Sequence, residues 1–198
     1  ENAYPLGATI NDVEEWARRG VRYVGITHFG HNQFGDSSNP NADAGDEEER
    51  HGGLSKLGRD LVAALNRAGI MVDVSHAGKK TMLQAAELSA APVIASHSGV
   101  KALADSPRNL DDEQLRALAA NGGVIHIVAL DGYLKPLTAE QEALRDQIRK
   151  DMNLETSAAR LAMDDETSAE YERRLEAMWE IEPRATVSDL VDHIDYAA

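Results

Sequence analysis

Two histidines in this chain follow a serine at the end of an apolar run: IMVDVSH ends on Ser75-His76 and APVIASHS carries Ser96-His97. A third, His28, closes VRYVGITH. A neutral imidazole offers one lone pair to a metal ion or a proton, so three at equivalent positions point to a shared site. There is no cysteine, which excludes disulfides, thiolate metal sites and a cysteine nucleophile. Any metal must therefore sit on histidine and carboxylate, a donor set that catalytic zinc sites use while keeping one position open to water. His126 lies inside an apolar run and reads as structural, and His31, His51 and His193 fall at spacings that support no ligand role. Asp73 reads either as a support for a ligand or as a buried carboxylate bonded to backbone, and it is left outside the site.

The elements that must position these groups are short β-branched runs, at 21–27, 70–75, 92–96 and 123–130, with a stub before Tyr4 as a further candidate. Their unbroken apolar character predicts strands buried on both faces. Between them lie helical patterns: one from a cap at Asn11 or Asp12 to Arg19, LSKLGRDLVAALNRAG stopped by Gly69, KKTMLQAAELS, and DDEQLRALAANGG with an acidic first turn. Strands alternating with helices imply parallel pairing, because parallel neighbours need a crossover, so the fold class is α/β. In such sheets chemistry gathers at the carboxyl ends of strands, where all three histidines fall. Residues 30–53, rich in Gly, Asn and Asp, predict a long loop. Residues 138–182 predict an inserted helical hairpin of two amphipathic helices, and 183–198 a further helix capped by Thr186 with Asp189.

A chain of 198 residues, 42% hydrophobic and 27% charged, can bury a substantial core. Its formal charge of −14 and lack of any basic run exclude a nucleic-acid partner. No apolar stretch approaches a membrane span, and the opening ENAYPLG is not a signal region. Glu1 is not an initiator methionine, so the chain is expected to begin partway through a gene product.

ENAYPLG, GVRYVGITH, GLSKLGRDLVAALNRAGIMVDVSH, APVIASHS and SPRNLDDEQL, in that order, resemble the membrane (renal) dipeptidase family in its bacterial form. The resemblance runs from Glu1 to about Tyr133 and resumes weakly in the last dozen residues. It implies a (β/α)8 TIM barrel carrying two zinc ions and hydrolysing dipeptides, with a metal-bridging hydroxide as nucleophile. Residue by residue it makes Glu1 the carboxylate bridging both ions, and His76 and His97 ligands of the second zinc. His28 becomes a catalytic group touching the substrate carbonyl, Arg108 the grip on the dipeptide carboxylate, and Tyr133 a wall of the pocket. The family's His-x-Asp pair of the first strand and the Asp of its last strand are not in these residues. The chain is therefore expected to supply about strands three to seven of the barrel over 1–137, the insertion over 138–182 and a barrel helix over 183–198. The other segments of the same barrel would be its partners, beside the dipeptide; a homodimer and a periplasmic or cell-envelope location are compatible with the resemblance. The alternative is an inactive relative that binds a ligand with one metal site lost. A lactonase or deaminase on the same barrel fits less well, because those sites usually lack the SPRN arginine.

Overall fold

Alternation of β-branched runs and amphipathic stretches becomes a four-stranded parallel sheet in the computed structural model, which describes residues 1–198. In chain order the elements are α1 (Val13–Arg18), β1 (Tyr23–Gly25), α2 (Lys56–Ala68), β2 (Met71–Asp73), α3 (Lys79–Leu88), β3 (Ile94–Ser98), α4 (Asp112–Asn121) and β4 (Val124–Ile127). Then follow α5 (Asp131–Leu134), α6 (Ala139–Asp151), α7 (Ser157–Leu161), α8 (Asp165–Leu175), α9 (Met178–Ile181) and α10 (Val187–Ala197). The strands lie in sequence order, β1-β2-β3-β4, with Val24 opposite Val72 and Ile94 opposite Val124.

Local chemistry sets the helix limits. Ser55 caps α2 by accepting from Gly58 N, and Gly69 ends it in the left-handed conformation. Asp111 and Gln114 form a reciprocal cap at α4, and Thr186 and Asp189 do the same at α10. Leu61, Val62 and Leu65 of α2 and Met82 and Ala85 of α3 pack with Val24, Val72 and Val74 in one buried cluster. Burying each of the larger side chains is worth about 1.5–3 kcal/mol. On α10, His193 is buried and works as a clamp: its Nδ1 accepts from Val100 N (2.9 Å) and its Nε2 donates to Leu134 O (3.0 Å).

Three expectations change. The stub before Tyr4 is no strand but a single 3-10 turn, Tyr4–Leu6, because Pro5 favours a turn there and Gly7 follows at φ 68°. β4 is not buried on both faces; it is one of the two edge strands, and Val124 remains 46% exposed. Residues 139–181 hold four helices instead of a hairpin of two: Asn153 at φ 56° breaks the chain after α6, and Thr156 and Asp164 then cap α7 and α8. Ile148, Leu154 and Tyr171 form a small cluster of their own between these helices.

The 30–53 loop is ordered by a carboxylate and two histidines. Asp36, 4% exposed, accepts from Arg50 N (3.0 Å), His51 N (3.0 Å) and Gly53 N (2.9 Å). His31 accepts from Ser37 N and donates to Glu47 O, while His51 donates to Asn32 O. Burial would raise the Asp36 pKa, but the Gly53, Arg50 and His51 amides outweigh it and hold the carboxyl below its ordinary value. A depressed folded pKa contributes stability in full above the unfolded value of about 4, and that contribution is lost as pH falls through the folded value. In the complete protein, Asp36→Asn should therefore cost about 1–3 kcal/mol at pH 7 and progressively less below about pH 4. Denaturant unfolding of both proteins across that range checks it, and a gap independent of pH would contradict the assignment.

Candidate active site

The sheet delivers its first two histidines in step. Gly25 and Asp73 pair at the last register position of β1 and β2, and His28 and His76 each follow three residues later. His97 is the penultimate residue of β3. Glu1 reaches the same place by lying along the end of β1. Ala3 N donates to Ile26 O (3.4 Å), and Asn32 Nδ2 donates to both Asn2 Oδ1 (2.9 Å) and Ile26 O (2.7 Å). Gly25 leaves room for this approach, since a Cβ there would stand 3.3 Å from Asn2 N and 3.6 Å from Glu1 Cα.

Glu1 Oε1 lies 2.9 Å from His76 Nε2 and 3.0 Å from His97 Nε2, and the two nitrogens are 3.0 Å apart. Three donor atoms at these separations resemble one face of a zinc tetrahedron, whose edge is roughly 3.3 Å for bonds of about 2.0–2.1 Å. The donor set therefore fits a zinc ion. His28 stands on the rim: its Nε2 is 3.8 Å from Glu1 Oε2, and its ring lies 4.2 Å from that of His76. Glu1, His28 and His76 also form a cluster with ligand atoms within 4.8 Å, but His97 approaches the carboxylate more closely than His28 does.

His76 is held in a backbone conformation that side chains rarely adopt, φ 67°, which costs about 1 kcal/mol or more and is typical of functional positions. Its carbonyl accepts from Ser38 N (2.8 Å) and Thr27 Oγ1 (3.0 Å), so the long loop and the end of β1 together hold the strained residue. Burial, then the nearby charges of Arg108, His28 and His97, push the imidazole down to a pKa of about 3, which leaves it neutral and able to donate its lone pair.

Arg108 is 3% exposed. Its Nη2 donates to His97 O (3.2 Å), its guanidinium lies 5.4 Å from the Tyr133 ring centre, and its buried Nε has no partner. Burial lowers its pKa, while Tyr133, Glu1 and Asp73 act in the opposite direction. An unpartnered buried donor on a cation is costly, and a carboxylate ligand would satisfy it. Asn109 joins the two sides of this pocket, its Nδ2 donating to Tyr133 O (2.8 Å) and Ala104 O (2.9 Å). A Cβ at Gly99 would stand 2.5 Å from Asn109 Oδ1, so the close passage needs glycine.

All six residues singled out from the sequence, Glu1, His28, His76, His97, Arg108 and Tyr133, meet at the carboxyl ends of the strands. His126 projects from β4 and is exposed. Sequence reasoning passed over Asn109, the last letter of SPRN, and the two serines preceding His76 and His97; the repeated Ser-His pair was their signal. Asp73, set aside, is 1% exposed and bonded toward His97 through Ser96.

Parallel strands whose carboxyl ends gather histidine and carboxylate donors around one point offer a donor set that could hold a metal ion, in an α/β fold. The chain belongs to the membrane dipeptidase family, peptidase family M19, whose model matches residues 1–198. It is 36% identical over 146 residues to dipeptidase aclJ of Aspergillus oryzae, covering 74% of this chain and 33% of that protein. It is 41% identical over 127 residues to dipeptidase verJ of Clonostachys rogersoniana, covering 64% and 30%. Among solved structures, the probable dipeptidase PvdM from Pseudomonas aeruginosa matches 99% of this chain with a TM-score of 0.81 and 37% identity, and the match covers 52% of that chain. A Rhodobacter sphaeroides metallo peptidase, liganded with a phosphinate mimic of the dipeptide L-Ala-D-Ala, matches 68% of this chain and 36% of its own, with a TM-score of 0.55 and 28% identity. The chain thus spans about a third of these curated relatives and about half of PvdM.

Asn109→Ala would leave Tyr133 O and Ala104 O without their side-chain donor. It should cost about 1–3 kcal/mol of stability, while Asn121→Ala, which removes other loop contacts, should leave the Arg108 pocket intact. Denaturant unfolding and a crystal structure of each variant check this. An Asn109→Ala protein with unchanged stability and an unmoved Tyr133 would contradict the clamp.

Proposed function

We propose that the complete protein is a zinc-dependent dipeptidase whose substrates carry a free carboxylate at the C-terminus. The observation that carries this reading is the triangle of Glu1, His76 and His97 beside a buried arginine with an unpartnered Nε. Glu1, His76 and His97 would hold a zinc ion, and Glu1 is the residue of this chain that the family resemblance would share with a second ion. Further strands of the same protein would close the sheet into a barrel across its two edges, β1 and β4. Bound metal supplies positive charge that acidifies water and polarises the peptide carbonyl. The chain's own residues do the rest. Arg108 receives the terminal carboxylate through its planar fork, and Tyr133 keeps the guanidinium in place from one side. His28 donates from Nε2 to the carbonyl oxygen as negative charge grows on it. The ligand of the Rhodobacter relative supports a dipeptide substrate class that includes a D-residue at the second position.

Replacing His76 or His97 by Ala should release metal and remove most activity, whereas His126→Ala should do neither. The free dipeptide should be preferred over its C-terminal amide by about 30-fold to 1000-fold in kcat/KM, corresponding to about 2–4 kcal/mol for a charge-assisted pair. Arg108→Ala should lose most of that preference and Arg108→Lys recover part of it. His28→Ala should lower kcat for both substrates alike. Steady-state kinetics and metal analysis decide, and an Arg108→Ala enzyme that still prefers the free acid as strongly as wild type would refute the carboxylate assignment. A protein that binds zinc and dipeptides without cleaving them would support the inactive alternative.

A further inference from the structure

β3 breaks step with its neighbour where the site needs it. Ala95 pairs with Ile125 but Ser98 with Ile127, so two residues of β3, Ser96 and His97, stand against the single residue His126 of β4 as a bulge. A bulge frees main-chain groups from the ladder and re-aims side chains. Here the freed amides are taken by side chains of β2 and its extension: Ser96 N donates to Asp73 Oδ1 (3.1 Å) and His97 N to Ser75 Oγ (2.9 Å). Asp73 Oδ1 also accepts from Ser75 N (3.0 Å), and Ser75 Oγ lies 3.2 Å from Ser98 Oγ. Ser96 Oγ then sits 2.6 Å from Asp73 Oδ2 and 2.8 Å from His97 Nδ1.

The direction of this chain follows from its end. A carboxylate only accepts, so the Ser96 hydroxyl gives its proton to the bond with Asp73. Ser96 Oγ can then only accept from His97, which fixes the proton on Nδ1 and leaves the Nε2 lone pair facing Glu1 and His76. We propose that Asp73 and Ser96 are positioning residues that set the His97 tautomer for metal binding through a serine placed between carboxylate and imidazole. The inference rests on the reading of His97 as a metal ligand. It also explains the repeated Ser-His pair: Ser75 anchors the His97 backbone and Ser96 orients its ring.

Asp73→Asn tests the direction without changing size. Its remaining oxygen would stay with the two amides, so its NH2 would face Ser96 Oγ and donate. The serine would turn its proton toward His97 Nδ1, and the imidazole would carry its own on Nε2, against Glu1. The analogous isosteric exchange behind a catalytic histidine produces the wrong tautomer in serine proteases. Nitrogen-15 NMR of the metal-free complete protein should therefore report His97 protonated at Nδ1 in wild type and at Nε2 in Asp73→Asn. Cobalt(II) and zinc(II) titrations against a competing chelator should show about 10-fold to 100-fold weaker binding in Asp73→Asn and Ser96→Ala. Ser96→Thr, which keeps the hydroxyl, should recover most of the affinity. Ser96→Ala leaves both amide bonds to Asp73 in place, so it separates the relay from the support of the bulge. Tight metal binding in wild type that is unchanged in Asp73→Asn and Ser96→Ala, with His97 on the same tautomer, would overturn the relay while leaving the metal site standing. Absence of metal binding in wild type would overturn both.

Discussion

Glu1 Oε1, His76 Nε2 and His97 Nε2 converge to about 3 Å from one another, and three lone pairs facing inward at that distance repel unless a proton or a cation stands among them. Much of the surrounding structure holds that arrangement in place. Gly25 lets the Glu1 segment lie on β1; Thr27 and Ser38 hold the carbonyl of His76 in its left-handed conformation; Asp73 and Ser75 take over the amides that the bulge at His97 releases. Burial then keeps His76 neutral, with its lone pair free for the cation that we propose at this centre.

The proposed metal ligands and the proposed substrate contacts are placed by different means. His76 and His97 sit at or just beyond strand ends, where the parallel register fixes their relative height. Arg108 and Tyr133 come from the segments after β3 and β4, which have no ladder to order them and depend on Asn109 and on His193 of α10. The last helix thus reaches the pocket through backbone carbonyls and amides without touching its chemistry. The same pattern recurs in the 30–53 loop, where His31, His51 and Asp36 all serve the main chain.

The parallel α/β order was legible because strand and helix periodicities differ, and the three histidines were legible because each ends an apolar run. Glu1, Arg108 and Tyr133 could be named only through a resemblance spanning several motifs, since a terminal glutamate or a loop arginine has no local signature. The stub before Tyr4 misled because its β-like character ignored Pro5. The division of 139–181 into four helices turned on Asn153 and on caps at Thr156 and Asp164, which a reading of amphipathic period alone does not weigh. Asp73 was visible as a strand carboxylate, but its role depends on a one-residue bulge in the next strand, a register feature that no single run of sequence displays.

Anomalous diffraction at the zinc edge from crystals of the complete protein, grown without chelator, would locate any zinc held by Glu1, His76 and His97. A zinc ion should be found bonded to the Glu1 carboxylate and to Nε2 of both His76 and His97, with His28 outside bonding distance. A zinc ion bonded to His28 in place of His97, or fully loaded zinc elsewhere with these three donors unliganded, would contradict the proposed metal site.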